Sequence, residues 1–175
     1  MILRKARDSD LPSIAQLHSD SWQRTYAGML PDRFLTHDVP LRMAADWQPS
    51  RLWRQHVLVA EAGQLAGFAA ADIGDGVLYV DNLHVAFGNM GQGIGRKLMG
   101  AMAQEAEARG CARLWLTVLD DNGAAIRFYQ GLGGTVSEPF DDDVMGCPVR
   151  SVAVAWEGPA LDQLGAGVSH GADPR

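Results

Sequence analysis

Cysteine is scarce in this chain: 175 residues carry two, Cys111 and Cys147. They stand in no metal-ligand spacing and are too few for a disulfide framework, so a reducing compartment is the simpler reading. No run approaches the ~18 apolar residues that a membrane span needs. The opening residues, MILRKARDSD, turn charged too early for a secretory signal. A cytoplasmic protein with no membrane partner is therefore expected. Positive charge is also in deficit, with 15 Lys+Arg against 21 Asp+Glu and a net charge of −6. That balance argues against general affinity for a phosphate backbone, and nucleic acid is not expected as a partner. Apolar residues are plentiful at 47%, enough for one domain with a sizeable core.

Residues 2–6 read as a strand, and Asp8 offers an oxygen to cap a helix whose inner face carries Leu11, Ile14, Leu17 and Trp22. Pro31, Pro40 and Pro49 then cut the chain into pieces that suit one or two short helices. Segments 56–61, 64–73 and 77–85 read as three strands, and the short turns Ala62-Gly63 and Asp75-Gly76 make them an antiparallel meander. A helix over 94–109, closed by Gly110, leads to 114–119, which is apolar on both faces like a buried strand. Asn122 caps a second helix through Phe128, Tyr129 and Leu132, ended by Gly133. Strands at 134–138 and 149–156 complete a domain over 1–156. From 157 to 175, Gly, Ala, Asp and Pro occur without periodicity, and a mobile tail is expected there.

The stretch Met90-Gly91-Gln92-Gly93-Ile94-Gly95-Arg96 places alternate glycines at the start of the first of these two later helices. A helix N-terminus carries unpaired N–H groups and partial positive charge, and glycine removes side chains that would hold an anion away. The stretch suits a phosphate, although glycines before a helix also serve as a plain tight turn. It is not a Walker loop, because Arg96-Lys97 is followed by Leu98. A dinucleotide fingerprint gains a partial match from Asp120, but Gly91-x-Gly93-x-Gly95 misses the required glycine spacing.

Together, Tyr79-Val80-Asp81-Asn82-Leu83-His84-Val85, the glycine loop, and Asn122 with Phe128-Tyr129-x-x-Leu132-Gly133 resemble the GNAT-type N-acetyltransferase superfamily. The resemblance runs from Met1 to about Trp156. It implies an α/β (α+β) fold with a mixed, mostly antiparallel central sheet flanked by helices. Acetyl-CoA is then expected in the splay between the fourth and fifth strands. The implied activity is direct transfer of the acetyl group to a primary amine of a small molecule or a protein, by a monomer or homodimer, with no acyl-enzyme and no metal.

Carried onto this chain, the resemblance puts the pyrophosphate on Met90, Gly91, Gln92, Gly93, Ile94, Gly95 and Arg96. The backbones of Leu83, His84 and Val85 meet the pantetheine arm, where an N–H polarises the thioester carbonyl. Asn122 contacts the cofactor besides capping its helix. Tyr129 points at the sulfur as general acid, a role a phenol of pKa ~10 suits because the departing thiolate is of similar basicity. For the base, Asp81 shares a strand face with Tyr79 unless a bulge intervenes; His84 and water are the alternatives. Trp22 and Tyr26, at i,i+4 spacing, stand on the acceptor side, with core packing the competing account of Trp22. One departure is plain: the family's loop usually begins with Gln or Arg where Met90 stands, which leaves Arg96 to supply charge. A catalytically silent acyl-CoA-binding or sensing module, or a dinucleotide-binding oxidoreductase, are the rival readings.

Overall fold

The computed structural model describes residues 1–167. Strands β1 (Ile2–Lys5), β2 (His56–Glu61), β3 (Leu65–Gly74) and β4 (Val77–Val85) pair antiparallel in sequence order. Strand β5 (Arg113–Leu119) joins β4 in parallel, and β8 (Cys147–Glu157) pairs antiparallel with β5. The far edge of β8 carries β6 (Thr135–Val136) and β7 (Phe140–Val144). The result is one 8-stranded sheet ordered β1-β2-β3-β4-β5-β8-β6, with β7 also on β8. Within this sheet, among the described residues, only the β4–β5 pairing is parallel, which is not the doubly wound sheet a dinucleotide fold would require.

Two apolar layers cover the sheet. On one face α4 (Ile94–Ala108) packs Leu98, Met99 and Met102 against Leu78, Val80, Leu114 and Leu116, with Trp156 fully buried beneath. On the other, α1 (Leu11–Thr25) buries Leu11, Ile14, Leu17 and Trp22 against Val57, Val59, Phe68 and Ala70. The inner face read from the spacing of α1 is thus present. Its start differs: Asp8–Asp10 forms a 3-10 turn, and Asp10 rather than Asp8 takes a free N–H, that of Arg7 at 2.8 Å. Between Pro31 and Arg54 a π-helical turn, Phe34–Asp38, runs into α2 (Val39–Asp46), and α3 (Pro49–Arg54) follows. Pro40 and Pro49 occupy first-turn positions, where a missing N–H costs nothing.

Two expectations need correction. The segment from 157 onward does not begin as a tail: Glu157 closes β8, and α6 (Pro159–Ala166) buries Leu161 and Leu164 on the α4 side of the sheet. Its two leucines, three residues apart, drive this packing, while the surrounding Gly and Ala hide the signal. The rest of the expected tail, 168–175, lies outside the described residues. Strand β7 was also not anticipated, because Phe-Asp-Asp-Asp-Val lacks apolar alternation. The β7–β8 hairpin folds toward α2, where the Arg42 guanidinium donates to the Met145 carbonyl at 3.2 Å.

Candidate active site

The parallel contact between β4 and β5 is short. Only 77–79 face 113–115; beyond Tyr79 and Trp115 the strands part. A cleft of about 610 Å³ occupies the gap, bounded by α1, the turn before α4, and α5 (Gly123–Gln130). No other strand pairs with the β5-facing edge of β4 beyond Tyr79, so Leu83, His84 and Val85 present backbone to the cleft.

At one end stands the glycine turn. Gly91 and Gly93 have φ of +76° and +75°, and a Cβ on either would meet nothing within 4 Å. The first N–H of α4 to find a carbonyl is that of Lys97, on Gly93 at 3.1 Å. Among the described residues none accepts from the N–H groups of Ile94, Gly95 or Arg96. These donors and the open space beside them fit a phosphate. Gly95 serves a different purpose: a Cβ there would lie 3.1 Å from the Phe128 ring, so the glycine lets α5 approach α4. Met90, Gly91, Gly93, Ile94, Gly95 and Arg96 all line the cleft, and Met90 is 53% exposed. Gln92 does not, since its amide turns back to the Gly88 carbonyl at 3.3 Å.

Asn122 and Tyr129 reach the cleft from α5. The Asn122 side-chain oxygen accepts from the Ala125 N–H at 3.2 Å, the cap its sequence position implied. Tyr129 is buried, with its ring edge-on to Trp156 at 5.9 Å and to Phe128 at 5.0 Å. Its hydroxyl bonds to no described residue. Burial, and then the neighbouring Tyr26 phenol, push its pKa well above 10. Tyr26 and Trp22 line the opposite wall from α1, their rings 5.0 Å apart. Trp22 belongs to the core as well, as the competing account held.

Asp81 lines the cleft, at the one point of β4 where the strand is irregular. Asn82 faces Ala70 and Val80 faces Ala71, so a bulge leaves Asp81 without a partner on β3, while the Gln55 amide that reaches Asp81 also reaches Asp72, the residue opposite Tyr79. Its Oδ2 accepts from the Arg51 guanidinium at 2.6 Å, the Asn82 amide at 2.6 Å and the Gln55 amide at 3.3 Å. Neither partner on α3 nor in the loop after it could be read from sequence, because they lie 30 and 26 residues away.

His84 turns toward α1, its Nδ1 2.8 Å from the Ser21 hydroxyl and its ring 4.5 Å from His18. Burial draws its pKa down to about 3, so the imidazole is neutral near pH 7. His18, held by the Trp47 indole N–H at 3.0 Å, is likewise kept neutral, by burial first and then by His84 and Arg51. Sequence reasoning missed Ser21, Thr25 and Thr117, all of which line the cleft; single polar residues inside amphipathic elements carry no periodic signal. Among the described residues no group of three His, Cys, Asp or Glu side chains converges as metal ligands, and no helix is long and apolar enough to cross a membrane.

Comparison with known proteins agrees with this geometry. The family model described as "Acetyltransferase (GNAT) family" matches residues 11–133. Streptothricin acetyltransferase of Streptomyces lavendulae is 42% identical over 82 residues, covering 46% of this chain and 43% of that protein. The [Ribosomal protein bS18]-alanine N-acetyltransferase of Escherichia coli K12 is 36% identical over 75 residues, 43% of this chain and 51% of its own. The chain thus matches about half the length of each of these curated relatives. Among solved structures, the PaiA N-acetyltransferase of Thermoplasma acidophilum in complex with coenzyme A superposes with a TM-score of 0.74 at 21% identity, covering 86% of this chain and 96% of that one. At that identity the likeness speaks for the fold.

Proposed function

This chain belongs to the GNAT acetyltransferase family, and on that premise we propose that it moves the acetyl group of acetyl-CoA directly to a primary amine. The observation that carries the reading is the single cleft in which unpaired N–H groups at the start of α4, the open edge of β4 and the Tyr129 phenol all meet. Acetyl-CoA would supply an activated thioester. The loop from Met90 to Arg96 receives its pyrophosphate, and the backbone of Leu83, His84 and Val85 receives the pantetheine arm. Asn122 adds a side-chain contact.

In the proposed reaction the amine nitrogen forms a bond to the thioester carbon and the carbon–sulfur bond breaks. Tyr129 gives its proton to the departing sulfur; its raised pKa keeps that proton in place until it is needed. Asp81 takes the proton that the amine must lose, its carboxylate held in orientation by Arg51. Trp22 and Tyr26 flank the acceptor. One relative is named for streptothricin and another for the alanine of a ribosomal protein, so the acceptor is stated only as a primary amine.

The test is a panel of amines offered with acetyl-CoA, with product read by mass spectrometry and coenzyme release by a thiol reagent. Matched acetylated amine and free thiol support the reading; thiol release without acetylated product would mean hydrolysis and overturn it. A second reading, a silent acyl-CoA-binding module, is favoured by the threefold engagement of Asp81 Oδ2 and by Met90 at the head of the loop. It requires binding without thiol release for every amine tried.

Two variants probe the parts. Asp81→Asn should lower the rate several-fold, most strongly well below the acceptor's pKa of ~10, and lose its effect as rising pH supplies free amine. A pH–rate profile with a confirmed acceptor reads this; a defect flat across pH would reduce Asp81 to holding Arg51 and the bulge. Met90→Arg should tighten acetyl-CoA binding by about 1 kcal/mol through a charge-assisted contact to phosphate. Calorimetry showing weaker binding would assign Met90 a packing role that arginine cannot fill.

A further inference from the structure

The closed end of the splay carries a feature that backbone pairing does not require. Leu78, Val80, Leu114 and Leu116 point into the α4 core, so Tyr79, Trp115 and Thr117 point to the α1 face by strand alternation. There the Tyr79 hydroxyl lies 3.1 Å from the Thr117 hydroxyl, joining the last paired residue of β4 to β5 two residues past its last pair. The Tyr79 ring is steadied on Trp115 at 4.6 Å. On β5 the cleft's lining includes Leu116 and Thr117 and on β4 it starts at Val80, so one hydroxyl of the bridge borders the cleft and the other sits one residue behind it.

Direction supplies the consequence, resting on the donor reading above. An arm that starts at the phosphate loop and follows β4 back through Val85, His84 and Leu83 brings its acyl end toward Val80, and so to the bridge. We propose that the Tyr79–Thr117 hydrogen bond is the stop that sets acyl length, admitting acetyl and rejecting longer acyl groups. A longer chain has to part the two hydroxyls, leaving both without a partner in a half-buried place, and polar groups stranded in this way discriminate more sharply than lost apolar contact. Burial, with Asp81, Asp142 and Asp72 nearby, raises the Tyr79 pKa above its ordinary value against the opposing effect of the Thr117 hydrogen bond, so the phenol stays neutral near pH 7 and either hydroxyl can donate in the bridge.

Calorimetry of acetyl-, propionyl- and butyryl-CoA binding needs no acceptor and tests the stop directly. The parent should prefer acetyl- to butyryl-CoA by about tenfold or more, the scale of pocket discrimination by chain length. Thr117→Ala removes hydroxyl and methyl, and Tyr79→Phe keeps the ring on Trp115 while removing the other hydroxyl; both should narrow that ratio by about fivefold. Thr117→Ser keeps the bridge and should hold the parent's ratio. Equal binding of the three donors by the parent, or an unchanged ratio in folded Thr117→Ala and Tyr79→Phe, overturns the stop. A ratio that narrows as much in Thr117→Ser as in Thr117→Ala assigns selectivity to the methyl and overturns the bridge. Failure of coenzyme A itself to bind removes the donor reading and the stop with it; binding with an unmoved ratio removes the stop alone.

Discussion

Tyr129→Phe is expected to lower turnover by roughly ten-fold to a thousand-fold, the range set by general acid catalysis and by how well water replaces the phenol. Acetyl-CoA affinity should change little. The phenylalanine ring keeps the edge contacts to Trp156 and Phe128, and the lost hydroxyl holds no described residue, so stability should stay within about 0.5 kcal/mol of the parent. A fall in kcat and in kcat/KM together, with unchanged binding by calorimetry, is the signature of an interaction made only in the transition state. The pH response follows from sign. A phenol whose pKa is raised by burial and by Tyr26 keeps its proton to higher pH, so the parent's rate should climb with the free amine and show no loss from this group below about pH 10. Turnover of Tyr129→Phe equal to the parent's would remove the tyrosine from the mechanism.

Gly93→Val is expected to weaken acetyl-CoA binding by at least about tenfold, or roughly 1.4 kcal/mol. Two effects act together. At φ +75° a β-branched residue is strained, and its methyls would fill the open space in front of the α4 donors. Gly93→Ala, strained but smaller, should fall between valine and the parent. Thermal melts separate strain from the binding defect, because nothing in the protein itself stands within 4 Å of the new Cβ. A folded Gly93→Val with the parent's affinity would move the phosphate away from this turn.

The residues that proved legible share a property: their signal is local. The glycine turn, the Asn122 cap and the apolar stripe of α1 each depend on neighbours within about one or two helical turns. Strands β2 and β4 begin and end where alternation and turns marked them. What the sequence left open depended on something farther off. Asp81 has no partner on β3 because that strand supplies one residue fewer at Ala70 and Ala71.

From sequence alone came the family resemblance, the order of elements, the loop that suits a phosphate and the tyrosine beside it, since repeating hydrophobicity and backbone-permissive residues act over short stretches of chain. Tertiary structure alone decided that the parting of β4 and β5 falls after three paired residues, that Arg51 and Gln55 bind Asp81, that Ser21 meets His84, and that the Tyr79 and Thr117 hydroxyls meet. These contacts join residues 26 to 63 positions apart. Which of many polar side chains meet over such distances is settled by how sheet twist and helix packing bring their strands and helices together, and no periodicity within one element records it.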